Sequence, residues 1–180
     1  MDIRFVSPDL RHLDGLRCEA MALAVFEDER PLRGALGLVD WRLCGQVSRV
    51  LLRGHARGAL GERVLIPTRR RLPFDKLFLF GAGASADFDD ARFASVTQHL
   101  LDTLDRARVR SSVVGLPGRS CDRITPQRAM EIFLLQVPRH PEQDQLTLIE
   151  DADAQRAMAP VVEQAKRRQR ALGVQDVSTP

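Results

Sequence analysis

Residues 75–90 read DKLFLFGAGASADFDD, in which an apolar run leads into a glycine turn and an acidic helix start. The apolar run predicts a buried strand, because continuous apolar residues are typical of strands covered on both faces. Gly81 and Gly83 tolerate positive φ and let backbone N–H groups approach an anion at a helix start. The stretch therefore predicts a strand-to-helix turn, with Gly81, Gly83 and Ser85 as candidate ligand contacts.

The glycine spacing also fits a dinucleotide-binding fingerprint, Gly81-x-Gly83-x-x-Ala86, with Asp102 at the distance of a ribose-binding acid. That acid should end a strand, yet Asp102 lies in a run with helical spacing. Acidic side chains at the helix start would also repel a phosphate. The pattern favours a structural turn over a Rossmann cofactor site, and it leaves open a ligand loop of another kind.

Outward from this stretch, apolar runs alternate with helical patterns along the chain. Such alternation predicts a three-layer α/β fold with a mostly parallel central sheet. Pro67 places its strand at an edge of that sheet. We predict strands near residues 3–6, 20–26, 63–67, 75–80, 111–116 and 146–149. We predict helices near residues 40–53, 88–107, 125–137 and 152–172, the first of them with Asp40 as its N-cap.

The chain has 180 residues, of which 44% are hydrophobic, enough for one domain with a core. We predict an α/β domain over residues 1–150, a helix over 151–172 and a tail over 173–180. No apolar run approaches the length of a membrane span, and the N-terminus lacks the pattern of an export signal. Three widely spaced cysteines fit reduced thiols. These features predict a cytoplasmic protein without membrane contact.

Positive charge is concentrated in one segment. Residues 30–71 hold ten arginines against two acidic residues, a local net charge of +8, whereas the whole chain carries +3. Only Lys76 and Lys166 are lysines, a usage typical of a GC-rich bacterial genome, so arginine frequency alone says little about nucleic acid. The candidate face for a partner or polyanion comprises Arg42, Arg49, Arg53, Arg57, Arg69, Arg70 and Arg71.

Catalytic patterns are missing from the sequence. The four histidines stand far apart, without a second ligand at metal-binding spacing, and neither Ser85 nor Ser120 lies in a nucleophile elbow. Gly115 and Gly118 flank a loop after a predicted strand, where a ligand could be held at the carboxyl end of the sheet. We predict no catalytic residue, no metal and no cofactor, with Gly115 and Gly118 as further candidate ligand contacts.

The order of several segments resembles the N-terminal domain of the leucyl aminopeptidase family. The resemblance covers about residues 1–150. It is carried by Val-Phe-Glu-Asp-Glu29, Pro31-Leu-Arg-Gly34, Leu43-Cys-Gly-x-Val-Ser-Arg-Val-Leu51, Gly58-Ala-x-Gly-Glu62 and Leu-Pro73-Phe-x-Lys-Leu-Phe-Leu-Phe-Gly81-x-Gly83.

The resemblance implies a macro-domain-like α/β fold followed by a helix that, in the family, connects to a catalytic domain with two metal ions. The family's catalytic motif, Asn-Thr-Asp-Ala-Glu-Gly-Arg, is absent here, and Lys76 lies on a strand of the wrong domain. No family active-site residue is therefore carried over. The resemblance implies a non-catalytic module that acts by protein binding or assembly.

Three alternatives stay open. The domain could bind a nucleotide or ADP-ribose in the manner of macro domains, through the glycine loops at the strand ends. Its arginine face could contact nucleic acid, which some bacterial family members do with this domain. It could also be an accessory subunit completed by a separate metalloaminopeptidase chain.

Overall fold

The computed structural model describes the backbone of residues 2–176 and the side chains of residues 2–168. Its centre is a six-stranded sheet in the order β1-β6-β5-β2-β4-β3. All neighbouring pairs are parallel except β3 and β4, so the prediction of a mostly parallel sheet is confirmed, with Pro67 on the edge strand. The strands are β1 (Asp2–Val6), β2 (Ala20–Val25), β3 (Arg63–Pro67), β4 (Lys76–Gly81), β5 (Ser111–Val114) and β6 (Gln145–Ile149).

Helices cover both faces of this sheet. They are α1 (Leu10–Asp14), α2 (Gly34–Arg42), α3 (Gln46–Leu52), α4 (Asp90–Arg106), α5 (Pro126–Gln136) and α6 (Ala152–Asp176). One apolar core joins the sheet to α4, α5 and α6, and a second joins its other face to α1, α2 and α3. Successive side chains of a strand point to opposite faces, so each inner strand contributes side chains to both cores. The predicted three-layer architecture is confirmed.

The segment predicted as one helix over residues 40–53 is two helices. The chain breaks at Cys44 and Gly45, both with positive φ, between α2 and α3. Asp40 is therefore wrong as the N-cap of a single helix, because it lies inside α2. Its buried carboxylate accepts hydrogen bonds from the backbone N–H groups of Val47 (2.8 Å) and Ser48 (3.1 Å), and so caps the start of α3 across the break.

The helix ends elsewhere follow the sequence signals closely. Thr125 caps α5, with Pro126 in its first turn, and α5 ends before Pro138. Asp102 lies within α4, as its spacing predicted, which excludes the strand-end position that a Rossmann site requires. The five-residue α1 was not predicted, because it is too short to show a helical period.

The C-terminal helix α6 begins where it was predicted. It continues to Asp176, into the segment predicted as a tail, whose residues 177–180 lie outside the described part of the chain. Among the described residues, no helix combines the length and the apolar character needed to cross a membrane.

Candidate functional site

The carboxyl ends of parallel strands meet at one edge of the sheet, and a cleft opens there between β2, β5 and β6. We call it the strand-end cleft. It encloses about 270 Å³. Its apolar wall includes Leu23, Phe26, Leu36, Leu116 and Ile149, and polar groups of the α2 start and of residues 115–122 line the remainder. A cleft at this edge is the usual place for a ligand in an open α/β sheet.

The first turn of α2 supplies hydrogen-bond donors to the strand-end cleft. The backbone N–H groups of Gly34, Ala35 and Leu36 have no hydrogen-bond partner among the described residues, and the Arg33 side chain does not cap the helix. Gly34 has φ of 53°, and a Cβ there would lie 2.9 Å from Cβ of Ser120. The cleft is therefore narrow at this point, and the α2 start faces the loop that follows β5.

Gly115 and Gly118, two of the predicted ligand contacts, line this cleft. A Cβ on Gly118 would lie 2.5 Å from the ring of Phe88, and a Cβ on Gly115 would lie 2.7 Å from Leu23. Each glycine thus permits a close approach of its loop to the core. Their position agrees with the predicted site, and a ligand role for them stays a prediction.

A buried ion pair between Arg119 and Glu150 lines the strand-end cleft. Nε and Nη2 of Arg119 donate to both carboxylate oxygens at 3.1–3.2 Å, and Nη1 donates to the carbonyl oxygen of Ile124 at 2.9 Å. The side chains are only 12% and 4% exposed. Burial raises the pKa of Glu150, while the hydrogen bonds and charge of Arg119 act in the opposite direction. This pair links the loop after β5 to the end of β6.

Gly81 and Gly83 lie outside the strand-end cleft, and the chain itself occupies their backbone groups. The N–H of Gly81 donates to Glu62 O and that of Gly83 to Gly58 O, both at 2.9 Å. A Cβ on Gly81 would lie within 2.7 Å of the carbonyl carbons of Gly58 and Ala59. The two amides are therefore not available to an anion, and the turn packs against residues 58–62.

Ser85 lies in a second, neighbouring cleft of about 200 Å³. Its N–H and Oγ donate to the two carboxylate oxygens of Asp28, at 2.9 and 2.6 Å, and these bonds lower the pKa of Asp28. The surrounding side chains include Arg30, Arg33 and Arg123, so we call this the arginine cleft. Sequence reasoning missed these arginines, because Arg123 is distant in the chain and no local motif connects it to the other two.

The seven arginines predicted as one face are divided by the structure. Arg49, Arg53 and Arg69 line a common depression with His55 on the outside of α3. Arg42 pairs with Asp14, and Arg71 donates to Sγ of Cys44. Arg57 and Arg70 are exposed but do not line the depression. We use the name α2–α3 face for these three arginines together with the exposed side chains of Trp41, on α2, and Leu52, on α3.

No group of three or more histidine, cysteine, aspartate or glutamate side chains is arranged to hold a metal ion within the described residues. Among the cysteines, Cys18 and Cys121 are partly buried, and burial raises the pKa of both thiols, to about 11 for Cys18. A protonated thiol is a poor nucleophile.

Comparison with known proteins places the chain in a family. Residues 22–135 match the model of the cytosol aminopeptidase family, N-terminal domain. A cytosol aminopeptidase of Pseudomonas aeruginosa is 30% identical over 89 residues, which are 49% of this chain and 18% of that protein. A probable cytosol aminopeptidase of Pseudomonas syringae is 26% identical over 101 residues, 56% of this chain and 20% of that protein. The chain spans about a fifth of the length of these relatives.

Solved structures share the fold at low sequence identity. A tomato leucine aminopeptidase mutant superposes with a TM-score of 0.59 at 16% identity, covering 88% of this chain and 35% of that one. A Trypanosoma brucei macrodomain in complex with ADP-ribose gives a TM-score of 0.71 at 13% identity, covering 89% and 68%. With the family match over most of its sheet, the chain belongs to the cytosol aminopeptidase family, as a macro-domain-like N-terminal domain of that family.

Proposed function

We propose that this domain is a non-catalytic module that binds a protein, either a partner or a second copy of itself, through the α2–α3 face. The observation that carries the proposal is a pair of large apolar side chains in solvent: Trp41 is 66% exposed and Leu52 is 80% exposed. Tryptophan and arginine are enriched at the energetically important centres of protein interfaces. A surface that presents both residue types suits a partner with acidic residues around an apolar patch.

Trp41 allows a direct test, because it is the single tryptophan and the chain has no tyrosine. If association buries this face, tryptophan emission should shift to shorter wavelength as protein concentration rises or as a partner is added. Sedimentation velocity should show association that Leu52→Ser weakens about tenfold or more, as expected from losing a buried leucine.

Leu135→Ser is the matched control, because Leu135 is 74% exposed on α5, which packs on the opposite face of the sheet. The same sedimentation and fluorescence measurements are then repeated in the presence of any metallopeptidase chain that copurifies. This second experiment also tests the alternative that the domain is an accessory subunit. Equal effects of Leu52→Ser and Leu135→Ser in every arm would contradict the proposal. If instead DNA binds with a steep salt dependence and Leu52→Ser is neutral, the nucleic-acid alternative is favoured over protein binding.

A second candidate function is binding of a nucleotide such as ADP-ribose in the strand-end cleft. It is favoured by the three free N–H groups at the start of α2, because such groups form an anion site at a helix N-terminus. The acidic side chains of Asp122 and Asp151 on the other wall suit the donor hydroxyl groups of a ribose.

Calorimetric titration with ADP-ribose tests this candidate. We expect saturable heat from the wild type, its loss in Ser120→Phe, where a ring would fill the narrow part of the cleft, and its retention in Ser120→Ala. No heat at near-millimolar ADP-ribose would remove the candidate. The cytoplasmic location predicted from the sequence stays a prediction.

A further inference from the structure

The arginine cleft is a concave surface with an excess of positive charge. It lies beside the strand-end cleft and shares Phe26 with it. Arg30 and Arg33 come from the segment between β2 and α2, and Arg123 comes from the loop between β5 and α5. Three distant parts of the chain, including the turn at Ser85, therefore converge on about 200 Å³ of space.

The charges of the three guanidinium groups act on Asp28 and Glu29 from beyond ion-pair distance. None of them forms an ion pair with a carboxylate among the described residues, whereas arginines such as Arg42, Arg119 and Arg128 do. Like charges gathered on a concave surface strengthen the local field and attract a counter-ion. The three guanidinium groups outnumber the two carboxylates, those of Asp28 and Glu29, that line the same cleft.

The two carboxylates in the cleft are already engaged by other donors. Asp28 receives both of its short hydrogen bonds from Ser85. Glu29 is buried and accepts from the backbone N–H groups of Phe26 and Arg33, each at 3.3 Å. Burial raises the pKa of Glu29, while its hydrogen bonds and the charges of Arg30 and Arg33 act in the opposite direction. The two acids therefore offset part of the positive charge of the three arginines, which still outnumber them in this cleft.

Two of the arginines are held in place by hydrogen bonds that leave other donors free. Nη2 of Arg123 donates to Oγ of Ser85 at 3.0 Å. Nη1 of Arg30 donates to the carbonyl oxygen of Glu29 at 2.6 Å. A guanidinium has five N–H donors, so most remain for a ligand. Side chains ordered before binding lose less conformational entropy when a ligand arrives.

The thiol of Cys121 also lines this cleft. Its pKa is raised by burial and, to a smaller extent, by the charge of Glu29. The thiol is therefore protonated at neutral pH, so it adds no negative charge and is not an activated nucleophile. This chemistry indicates binding in the arginine cleft and not covalent reaction.

We propose that the arginine cleft binds a phosphate group, either as the free ion or as the phosphate of a small monoester. A carboxylate offers two oxygens and is satisfied by one guanidinium fork, whereas a phosphate offers three or more oxygens to donors from several directions. Arg30 and Arg33 approach from one segment and Arg123 from another, and together they match the second arrangement. The proposal does not rest on the α2–α3 face, and its test is independent of association.

The test is titration of the full chain with inorganic phosphate and, separately, with glycerol phosphate at constant ionic strength, followed by calorimetry. We expect saturable binding that Arg123→Ala and Arg33→Ala each weaken about tenfold or more, because hydrogen bonds to charged groups are of that strength. Tighter binding of one compound than the other distinguishes the free ion from the monoester. Acetate should bind more weakly than phosphate.

Arg139→Ala is the matched control. Arg139 is exposed, precedes β6 and so lies at the opposite edge of the sheet from the cleft. Urea unfolding without phosphate should give the same midpoint for Arg33→Ala as for Arg139→Ala, which separates loss of binding from loss of folding. The proposal is overturned if neither compound binds saturably up to the millimolar range, or if Arg139→Ala weakens binding as much as the cleft variants.

Discussion

Gly81→Ala is expected to lower the free energy of unfolding by about 3 kcal/mol or more, the upper end of the range for overpacking a well-filled core. The added Cβ would lie within 2.7 Å of the carbonyl carbons of Gly58 and Ala59, and nearer still to the Ala59 carbonyl oxygen. Real Cβ atoms essentially never approach other heavy atoms this closely. Since the obstacle is backbone, no rotation of a side chain can relieve it.

The clash would extend beyond one contact, because the backbone is stacked at this point. Gly58 itself lies against the next segment, and a Cβ on it would be 2.8 Å from the carbonyl carbon of Phe26. Residues 58–62 are thus held between the end of β4 and the turn after β2. They cannot move away from the added methyl group without also breaking the hydrogen bonds from Gly81 to Glu62 and from Gly83 to Gly58.

Urea unfolding followed by circular dichroism measures the effect, with the slope of the transition as a check that the folded state stays compact. Gly15→Ala is the control, since Gly15 has φ of −84° and its Cβ would make ordinary contacts at 3.6 Å. Its effect should stay within about 0.5 kcal/mol. If Gly81→Ala unfolds at the same urea concentration as Gly15→Ala, the added Cβ meets no backbone obstacle, and the close packing of Gly81 against residues 58 and 59 is contradicted.

Local patterns in the sequence were sufficient for most of the fold. The apolar run before Gly81 predicted β4, and Thr125 with Pro126 predicted the start of α5. The break between α2 and α3 could not be foreseen, because Cys44 adopts positive φ, a conformation that its residue type rarely takes. Asp40 was recognised as a cap, but its carboxylate acts on α3 through a tertiary contact.

The candidate binding sites were harder to predict from the sequence than the fold was. In the sequence, Gly81 and Gly83 fit a ligand loop and a structural turn equally well. Only the position of residues 58–62 in the structure shows that the amides of both glycines donate hydrogen bonds within the chain. Conversely, no pattern in the sequence connects Arg33 with Arg123, and the fold alone brings them to one cleft. Glycine spacing reports what the backbone permits, whereas a binding surface depends on which side chains remain unpaired after folding.

Arg119→Ala is expected to lower the free energy of unfolding by about 3–5 kcal/mol at neutral pH, the usual cost of removing one partner from a buried ion pair. The Glu150 side chain is 4% exposed in the wild type, and the variant removes the donors that satisfy both of its carboxylate oxygens. The carbonyl oxygen of Ile124 also loses a hydrogen bond of 2.9 Å. The loop after β5 would then lose its link to β6.

The cost should depend on pH. Burial raises the pKa of Glu150 in the folded state above its ordinary value of 4.5. The stability that this shift contributes is fully present below the ordinary pKa, where Glu150 is protonated, and is lost as the pH rises through the folded pKa. Without the guanidinium, nothing equivalent favours the carboxylate, and the folded pKa rises further. Protonated Glu150 needs no counter-ion, so the difference between Arg119→Ala and the wild type should be smallest in acid and grow toward neutral pH.

Arg128→Ala supplies the matched comparison, because Arg128 pairs with Asp90 and Glu131 on the surface, where its side chain is about half exposed. Surface pairs contribute at most about 1 kcal/mol and are screened by salt. The double variant Arg119→Met, Glu150→Leu should recover most of the lost stability, since no unpaired buried charge remains. If Arg119→Ala costs no more than Arg128→Ala, or if its cost is the same at pH values on both sides of the Glu150 titration, the pair is not the buried link between β5 and β6, and the strand-end cleft is open to water at its base.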